Sequence, residues 1–162
     1  MIENKVKHEI EPIYNKSSKI LILGSFPSVK SREVGFFYGH PQNRFWKTLA
    51  AVLGVEVPVT VEEKKAMLLN HQIALWDVIA SCTITGSSDS SIKDVVPNDL
   101  EHLLKETQIS KIYVNGGTAY KLYEKYTRKK TGIPAIKLPS TSPANAAFRL
   151  EKLIEHWKII NE

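Results

Sequence analysis

Apolar residues follow two different spacings along this chain, and the two spacings alternate. Four short runs rich in β-branched and aromatic residues predict strands at residues 19–23, 72–76, 111–114 and 133–138. Between these runs, apolar positions recur every three or four residues, as on one face of a helix. Because strands that alternate with helices form a mostly parallel sheet covered on both faces, we predict a single α/β domain over residues 1–162 with a four-stranded sheet.

The helical segments carry recognisable end signals. Five helices are predicted, over residues 43–53, 60–69, 99–106, 118–128 and 142–157. Gly54 stands in the C-terminal capping position of the first helix, and Thr60 with Glu63 can form a capping box at the start of the second. Asn98 is expected to cap the third helix.

The last helix is predicted to begin with Ser142 as its N-cap and Pro143 in its first turn, where a missing N–H is tolerated. Its apolar stripe should face the sheet, and this stripe comprises Ala147, Leu150, Ile154 and Trp157. A Ser-rich segment over residues 83–91 is predicted to be a mobile loop.

Small polar residues follow three of the four predicted strands. They are residues 24–28 (GSFPS), 115–117 (NGG) and 139–143 (PSTSP). Because ligands bind outside the carboxyl ends of the strands in an open parallel sheet, these segments should line one crevice rimmed by helix N-termini. Such a crevice suits a phosphate or the polar edge of a base, although each segment alone is also typical of an ordinary turn.

A long loop over residues 24–42 leads into an aromatic segment, FFYGHPQNRFW. Phe45 and Trp46 open a helix and are expected to pack into the core, which leaves Tyr38 as the ring that could stack on a base. Asn43 has two interpretations. Its spacing favours an N-cap, yet its amide can also accept from and donate to a water or a substrate.

Composition and charge narrow the chemistry. The net charge of +5 suits a polyanionic partner, and Lys30, Arg32 and Arg44 flank the crevice as candidate phosphate contacts. The one cysteine, Cys82, and five histidines without ligand spacing predict no metal, no iron–sulfur cluster and no cofactor. The chain has no apolar run long enough to span a membrane, and its polar start (MIENK) does not fit a signal peptide, which predicts a cytoplasmic protein.

Three segments, in this order, resemble the motifs of the uracil-DNA glycosylase superfamily: GSFPS at residues 24–28, YGHPQNRFW at residues 38–46 and LPSTSP at residues 138–143. Within that superfamily the chain is most similar to the hypoxanthine (deoxyinosine) DNA glycosylases. The resemblance implies a three-layer α/β/α sandwich. It also implies that the partner is DNA containing a deaminated base, which is flipped into the crevice and hydrolysed from its deoxyribose to leave an abasic site.

Two positions depart from the better-known branches of the superfamily. Where those branches carry Asp or Asn to position the attacking water, this chain has Phe26, and the likeness to the hypoxanthine-acting branch transfers the role to Asn43. Where uracil-removing branches carry a histidine that stabilises the departing uracil anion, this chain has Leu138, which predicts poor removal of uracil.

The resemblance also assigns roles to other crevice residues. The expected base-binding set is Gly24, Ser25, Phe26, Tyr38 and Asn115. The expected phosphate-binding set is Ser140 and Ser142, aided by the N-terminus of the last helix, with Lys30 and Arg44. No lysine matches a Schiff-base position of the family, so a monofunctional enzyme is predicted.

Other functions remain compatible with the same residues. One is a uracil or mismatch glycosylase of the same superfamily with a broader choice of base. Another is a non-catalytic nucleic-acid or nucleotide-binding module that lost the reaction together with the usual Asp or Asn. A nucleotide-dependent enzyme on a flavodoxin-like sheet rests on fold analogy alone.

Overall fold

The computed structural model describes residues 4–162, so residues 1–3, part of the polar start of the chain, lie outside it. In chain order its strands are β1 (Asn4–Lys7), β2 (Ile20–Gly24), β3 (Ile73–Asp77), β4 (Ile79–Ile84), β5 (Lys93–Pro97), β6 (Lys111–Asn115) and β7 (Ala135–Leu138). Its α-helices are α1 (Val29–Val34), α2 (Phe45–Leu53), α3 (Val61–Asn70), α4 (Leu100–Lys105), α5 (Gly117–Tyr126), α6 (Arg128–Thr131) and α7 (Leu150–Trp157). Among residues 4–162, no helix combines the length and the apolar character needed to cross a bilayer.

The larger sheet contains the four strands predicted from the sequence. They lie in the order β3-β2-β6-β7, and every neighbouring pair is parallel. Gly24 pairs with Asp77 and Asn115 pairs with Leu138, so the carboxyl ends of neighbouring strands meet at one edge. The predicted α/β class with a four-stranded sheet is confirmed, and the sheet is parallel throughout.

Two apolar clusters cover the two faces of this sheet, because successive side chains of a strand point to opposite faces. Ile22 packs in one cluster with α2, α3 and α7, whereas Leu21 and Leu23 pack in the other with α4 and α5. Phe45 and Trp46 belong to the first cluster, as predicted. The two helical layers and the sheet form the three-layer α/β/α sandwich.

Two of the four predicted helix-end signals are confirmed. Thr60 Oγ1 accepts from the Glu63 amide and Glu63 Oε1 accepts from the Thr60 amide, at 3.0 and 2.9 Å, which completes the capping box of α3. Gly54 ends α2 in a left-handed conformation with a φ of 71°. The helix predicted over residues 118–128 is interrupted at Thr127, which separates α5 from α6.

The prediction that Asn98 caps α4 is wrong. The cap is Asp99, whose side chain accepts from the Glu101 amide. Asn98 Nδ2 instead donates to the main-chain carbonyls of Asp77 and Ile79, at 2.9 and 3.1 Å. Asn98 therefore stabilises the turn between β3 and β4.

The predicted long loop contains a short helix, α1. The Ser28 side chain accepts from the Ser31 amide at its start, and Gly35 ends it with a φ of 73°. The helix escaped detection because only Ser31 is buried among its six residues, so no apolar stripe marks it.

The start predicted for the last helix is also wrong, because α7 begins at Leu150 rather than at Ser142. Residues 142–149 form turns, since Arg44 from the start of α2 donates to several of their carbonyl groups. Ser142 therefore does not cap a helix.

The apolar stripe predicted for the last helix is correct only in part. Trp157 is fully buried and Ile154 packs against the first cluster. Leu153 is the second buried residue of α7, whereas Ala147 is exposed and lies outside the helix.

A second, antiparallel sheet with the order β1-β4-β5 was not predicted. The pairing of β4 with β5 shifts register on both sides of Ser81, which breaks the two-residue alternation that reveals strands in a sequence. The segment of residues 83–91 was predicted to be a mobile loop. Its first two residues end β4, Asp89–Ser91 form a 3-10 turn, and Ser91 Oγ accepts from the Thr85 amide at 2.8 Å, whereas its mobility stays a prediction.

Candidate active site

A cavity of about 510 Å³ opens at the carboxyl ends of the parallel strands, where sheets of this kind bind ligands. The residues that follow β2, β3, β6 and β7 line it, together with the segment between α1 and α2. This lining includes Gly24, Ser25, Phe26, Tyr38, Asn43, Asp77, Asn115, Ser140, Thr141 and Ser142. Every residue predicted for the site lies in the lining except Lys30 and Arg44.

A chain of hydrogen bonds fixes the Asn43 side chain in the cavity wall. Asn115 Nδ2 donates to Thr141 Oγ1 at 3.0 Å, and Thr141 Oγ1 donates to Asn43 Oδ1 at 2.9 Å. The Phe45 amide, in the first turn of α2, donates to the same Oδ1 at 2.9 Å. Because Thr141 is fully buried, water does not compete for these bonds.

The two interpretations of Asn43 apply to different atoms of its side chain. Oδ1 stabilises the start of α2, and its two lone pairs are both used by donors from the protein. The amide nitrogen Nδ2 donates to no acceptor among residues 4–162. Asn43 therefore offers a hydrogen-bond donor to a ligand in the cavity, not an acceptor.

Tyr38 is held through both its ring and its hydroxyl group. The ring stacks on Phe45 with centroids 4.1 Å apart and planes 14° from parallel, and Tyr38 lines the cavity. Asn115 Nδ2 donates to the hydroxyl oxygen at 3.2 Å. Burial and the nearby Asp77 carboxylate raise the pKa of Tyr38 well above its usual value, although the bond from Asn115 acts in the opposite direction. Tyr38 also has a φ of 52°, a left-handed conformation that is strained for an aromatic residue.

Asp77, the last residue of β3, adds a carboxylate that the sequence analysis missed. The residue is 4% exposed, and His8 Nε2 lies 2.7 Å from Oδ2. Gly24 on the neighbouring strand makes this arrangement possible. A Cβ at Gly24 would overlap Asp77 Oδ1 and would lie 3.0 Å from the Tyr38 hydroxyl oxygen. Glycine is needed here for a close approach and not for its backbone conformation.

Arg44 was predicted to contact phosphate, and the structure gives its guanidinium another set of partners. Nη2 donates to the carbonyls of Ser142 and Asn145, at 2.7 and 3.2 Å, and Nη1 donates to that of Phe148. Nε donates to the Thr141 carbonyl at 3.4 Å. These bonds hold the segment that forms one wall of the cavity, and a phosphate contact by Arg44 stays a prediction.

Ser140 and Ser142 line the cavity with their hydroxyl groups. Ser140 Oγ accepts from the Ser142 amide and Ser142 Oγ accepts from the Ala144 amide, both at 3.1 Å, so each hydroxyl keeps its hydrogen for a ligand. The expected help from a helix N-terminus is wrong, because α7 begins well after these serines. Lys30 lies on the exposed surface of α1, with Nζ 3.9 Å from Glu33 Oε2.

Residues 87–90 line the cavity from the side of the antiparallel sheet. The Val29 amide donates to Ser87 Oγ at 2.8 Å, and Arg32 Nη2 donates to the Gly86 carbonyl at 3.0 Å. These bonds attach the Ser-rich segment to α1. Arg32, which was expected beside the crevice, therefore contacts the protein there.

Three residues of this region escaped the sequence analysis for different reasons. Asp77 directly follows a predicted strand, as Gly24 and Asn115 do, so the same rule of position would have identified it. His8 carries no local signal, because its partner lies 69 residues away. Thr141 stands within the PSTSP motif, but only the tertiary structure shows that it connects Asn115 to Asn43.

Comparisons with known proteins agree with this geometry. A model of the uracil DNA glycosylase superfamily matches residues 11–162. A protein of Methanosarcina acetivorans named hypoxanthine DNA glycosylase is 32% identical over 156 residues, which cover 96% of this chain and 98% of that protein. A protein of Methanosarcina barkeri with the same name is 31% identical over 140 residues, which cover 86% of this chain and 88% of that protein. The solution NMR structure of a candidate uracil DNA glycosylase from Methanosarcina acetivorans superposes with a TM-score of 0.79 at 30% identity, covering 96% of this chain and 99% of that one.

Proposed function

Because this chain belongs to the uracil DNA glycosylase superfamily, we propose that it removes hypoxanthine from DNA by hydrolysing the N-glycosidic bond of deoxyinosine. The base is suggested by the two Methanosarcina relatives, both named hypoxanthine DNA glycosylase. The cavity is the observation that carries the proposal. The Asn43 amide, the Tyr38 ring and the hydroxyl groups of Ser140 and Ser142 line a space that suits one flipped base.

In this proposal Asn43 holds the attacking water. Since its Oδ1 is fully used, Nδ2 donates to the water oxygen and orients the water without taking a proton from it. The sugar develops oxocarbenium character as the glycosidic bond breaks, so a weakly activated water suffices for attack. Positioning of this kind is the contribution that a neutral amide can make.

The base lies against the Tyr38 ring, with its polar edge toward the end of β2. The backbone amides of Ser25 and Phe26 lie in this part of the lining and are suited to stabilise negative charge that develops on the departing base. Asn115 uses its side-chain amide for hydrogen bonds to Tyr38 and Thr141. Its part in base binding is therefore to hold those two residues in place.

Ser140 and Ser142 donate to a backbone phosphate beside the lesion, and Lys30 supplies positive charge at the rim. Such contacts fix the flipped geometry and make binding depend on salt concentration. No lysine lies in the cavity lining among residues 4–162, which supports a monofunctional hydrolysis without a Schiff base. Borohydride trapping of a protein–DNA adduct would contradict this mechanism.

Poor action on uracil is part of the proposal. Leu138 stands where uracil-removing relatives place a histidine, and its side chain is 2% exposed within the first apolar cluster. No imidazole is therefore available from that position to stabilise a uracil anion. Leu138→His would also place a polar ring in the core, so weak uracil excision in that variant is informative only if the variant folds.

Product analysis with end-labelled duplexes tests the proposed function. Duplexes that contain one deoxyinosine, one deoxyuridine or no lesion are incubated with the protein and analysed with and without alkali. We expect alkali-dependent cleavage at deoxyinosine and much less at deoxyuridine. Equal cleavage at both would indicate a broader uracil or mismatch glycosylase, and binding without cleavage would indicate a non-catalytic module.

A further inference from the structure

A buried hydrogen-bonded pair, His8 and Asp77, lies beside the proposed base site and has no part in the mechanism above. His8 Nε2 is 2.7 Å from Asp77 Oδ2, and the two side chains are 1% and 5% exposed. His8 follows β1 of the antiparallel sheet, whereas Asp77 ends β3 of the parallel sheet. The pair therefore joins the two sheets at the cavity.

The surroundings of His8 leave its ring one orientation. The His8 amide donates to the Ala80 carbonyl at 2.6 Å, and the imidazole meets the rings of Phe26 and Trp76 edge to face, both at 82°. Because an ionised carboxylate only accepts hydrogen bonds, Nε2 carries the hydrogen of this bond. His8 thus occupies Asp77 Oδ2 and fixes the plane of the carboxylate.

The second oxygen of Asp77 remains available to a ligand. Oδ1 lies directly against Gly24, next to the Tyr38 hydroxyl, and accepts from no donor among residues 4–162. Asp77 is 4% exposed and lines the cavity, so Oδ1 can accept a hydrogen bond from a ligand that brings an N–H group to this position.

Deamination creates such a group. Adenine and cytosine carry a lone pair on the ring nitrogen beside the exocyclic amine, whereas hypoxanthine and uracil carry an N–H beside a carbonyl. A fixed carboxylate oxygen accepts from that N–H and repels the lone pair of the undamaged base. Resting on the proposed function, we infer that Asp77, positioned by His8, is the specificity residue that recognises the ring N–H of a deaminated base and rejects its parent.

Equilibrium binding to uncleavable DNA tests the inference separately from catalysis. A fluorine at C2′ of the sugar disfavours the oxocarbenium-like state, so 2′-fluoroarabino duplexes bind without reacting. Two such duplexes are compared, one containing the hypoxanthine base and one containing unsubstituted purine, which has a lone pair at N1 and no larger volume. The measured quantity is the ratio of their Kd values for each protein, because effects common to both bases cancel in it.

Asp77→Asn is the decisive variant. Its amide oxygen accepts from His8 and its NH₂ group then faces the base, so a donor replaces the acceptor. We expect the preference for hypoxanthine over purine to fall by roughly 100-fold. An unchanged ratio with lost excision of deoxyinosine would instead make Asp77 a base that activates water, and this result would overturn the inference. An unchanged ratio with unchanged excision would overturn it as well.

His8 variants test the positioning and remain informative if Asp77→Asn fails to fold. His8→Phe keeps the aromatic packing and removes the donor, so the preference should fall by about tenfold, whereas His8→Gln restores a donor and should recover most of it. Equal ratios in both variants would remove His8 from the inference. Failure of the wild type to cleave deoxyinosine would refute the proposed function, whereas the Kd ratios test the role of Asp77 by itself.

Discussion

Asn43 performs two tasks through two atoms of one amide group. Oδ1 stabilises the start of α2 and accepts from Thr141, which leaves Nδ2 for the water of the proposed reaction. A substitution that removes the whole amide confuses the two tasks. A substitution that changes only one end of the amide separates them.

Asn43→Ala should lose excision of deoxyinosine by about 100-fold or more, because the water is no longer oriented. It should also lower the free energy of unfolding by about 1 kcal/mol, since the cap of α2 is lost. Single-turnover kinetics and urea unfolding measure the two effects.

Asn43→Asp is the matched control for this prediction. It keeps an oxygen that accepts from Thr141 and Phe45 but replaces the donor Nδ2 by a second acceptor. We expect near-normal stability with strongly reduced excision. Normal excision in both Asn43→Ala and Asn43→Asp would show that Asn43 acts only as a cap, whereas normal excision in Asn43→Asp alone would show that a carboxylate at this position can also hold the water.

Gly24→Ala should damage the site more than the fold. The added Cβ overlaps Asp77 Oδ1 and crowds the Tyr38 hydroxyl group, so both side chains must move. Displacements of this size cost roughly 100-fold in rate when they affect the reacting geometry.

Gly35→Ala provides the comparison, because Gly35 has a φ of 73° and no atom within 4 Å of an added Cβ. It should lower stability by about 1 kcal/mol and leave excision unchanged. Kinetics and thermal unfolding of both variants distinguish close contact at Gly24 from backbone strain at Gly35. Normal excision in Gly24→Ala would contradict the described geometry.

At the scale of elements, the segment between β7 and α7 depends on a residue of α2. Arg44 holds its carbonyl groups, and this segment carries Ser140 and Ser142 into the cavity. Arg44→Met should therefore accelerate amide hydrogen exchange in residues 142–149 and weaken DNA binding. The salt dependence of DNA binding should keep its slope, because the guanidinium is occupied within the protein.

Lys30→Met is the control for Arg44→Met, since Lys30 is exposed at the rim and makes only a long contact with Glu33. If Lys30 contacts phosphate, its removal lowers the slope of log Kobs against log salt by about 1. The same change of slope in Arg44→Met, without faster exchange, would restore Arg44 as a phosphate contact.

The elements that the sequence predicted well are those with local signals. The four parallel strands are continuous apolar runs, and the capping box of Thr60 and Glu63 is complete within four positions. The start of α7 was mispredicted because Ser142 and Pro143 form a good N-terminal signal that tertiary bonds from Arg44 override. The antiparallel sheet was missed because the pairing of β4 with β5 is irregular in register.

The candidate site shows the same difference between features with local signals and features that depend on distant residues. Sequence motifs identified Gly24, Asn43 and Ser140, since each belongs to a short segment of unusual composition. The links between segments could not be predicted, because a bond such as that from Thr141 to Asn43 joins residues 98 positions apart.

The molecule as a whole should lose stability in alkaline solution. Burial raises the pKa of four tyrosine side chains, and these are Tyr14, Tyr38, Tyr113 and Tyr123. Above pH about 10 the unfolded chain loses these protons while the folded protein keeps them, so the free energy of unfolding falls as pH rises. A group whose pKa is raised far above this range in the folded protein, as for Tyr38, contributes a slope of up to about 1.4 kcal/mol per pH unit, and the other three contribute less.

Urea unfolding between pH 8 and 11 measures this slope. In Tyr38→Phe the free energy of unfolding should fall less steeply with pH, by the contribution of one tyrosine, because the pKa of Tyr38 is raised furthest. A slope that Tyr38→Phe does not change would mean that this hydroxyl titrates alike in both states.

His8 directly follows β1, an edge strand of the antiparallel sheet, and this position has a consequence for the accuracy of repair. Edge strands open more readily than central ones, because they pair with a neighbour on one side only. Detachment of β1 would leave the four parallel strands and the cavity intact while freeing the Asp77 carboxylate to rotate. A frayed molecule would then still bind and cut DNA but would distinguish damaged from healthy bases less well. Detachment of β1 would thus reduce the fidelity of base selection before it reduced the amount of folded protein.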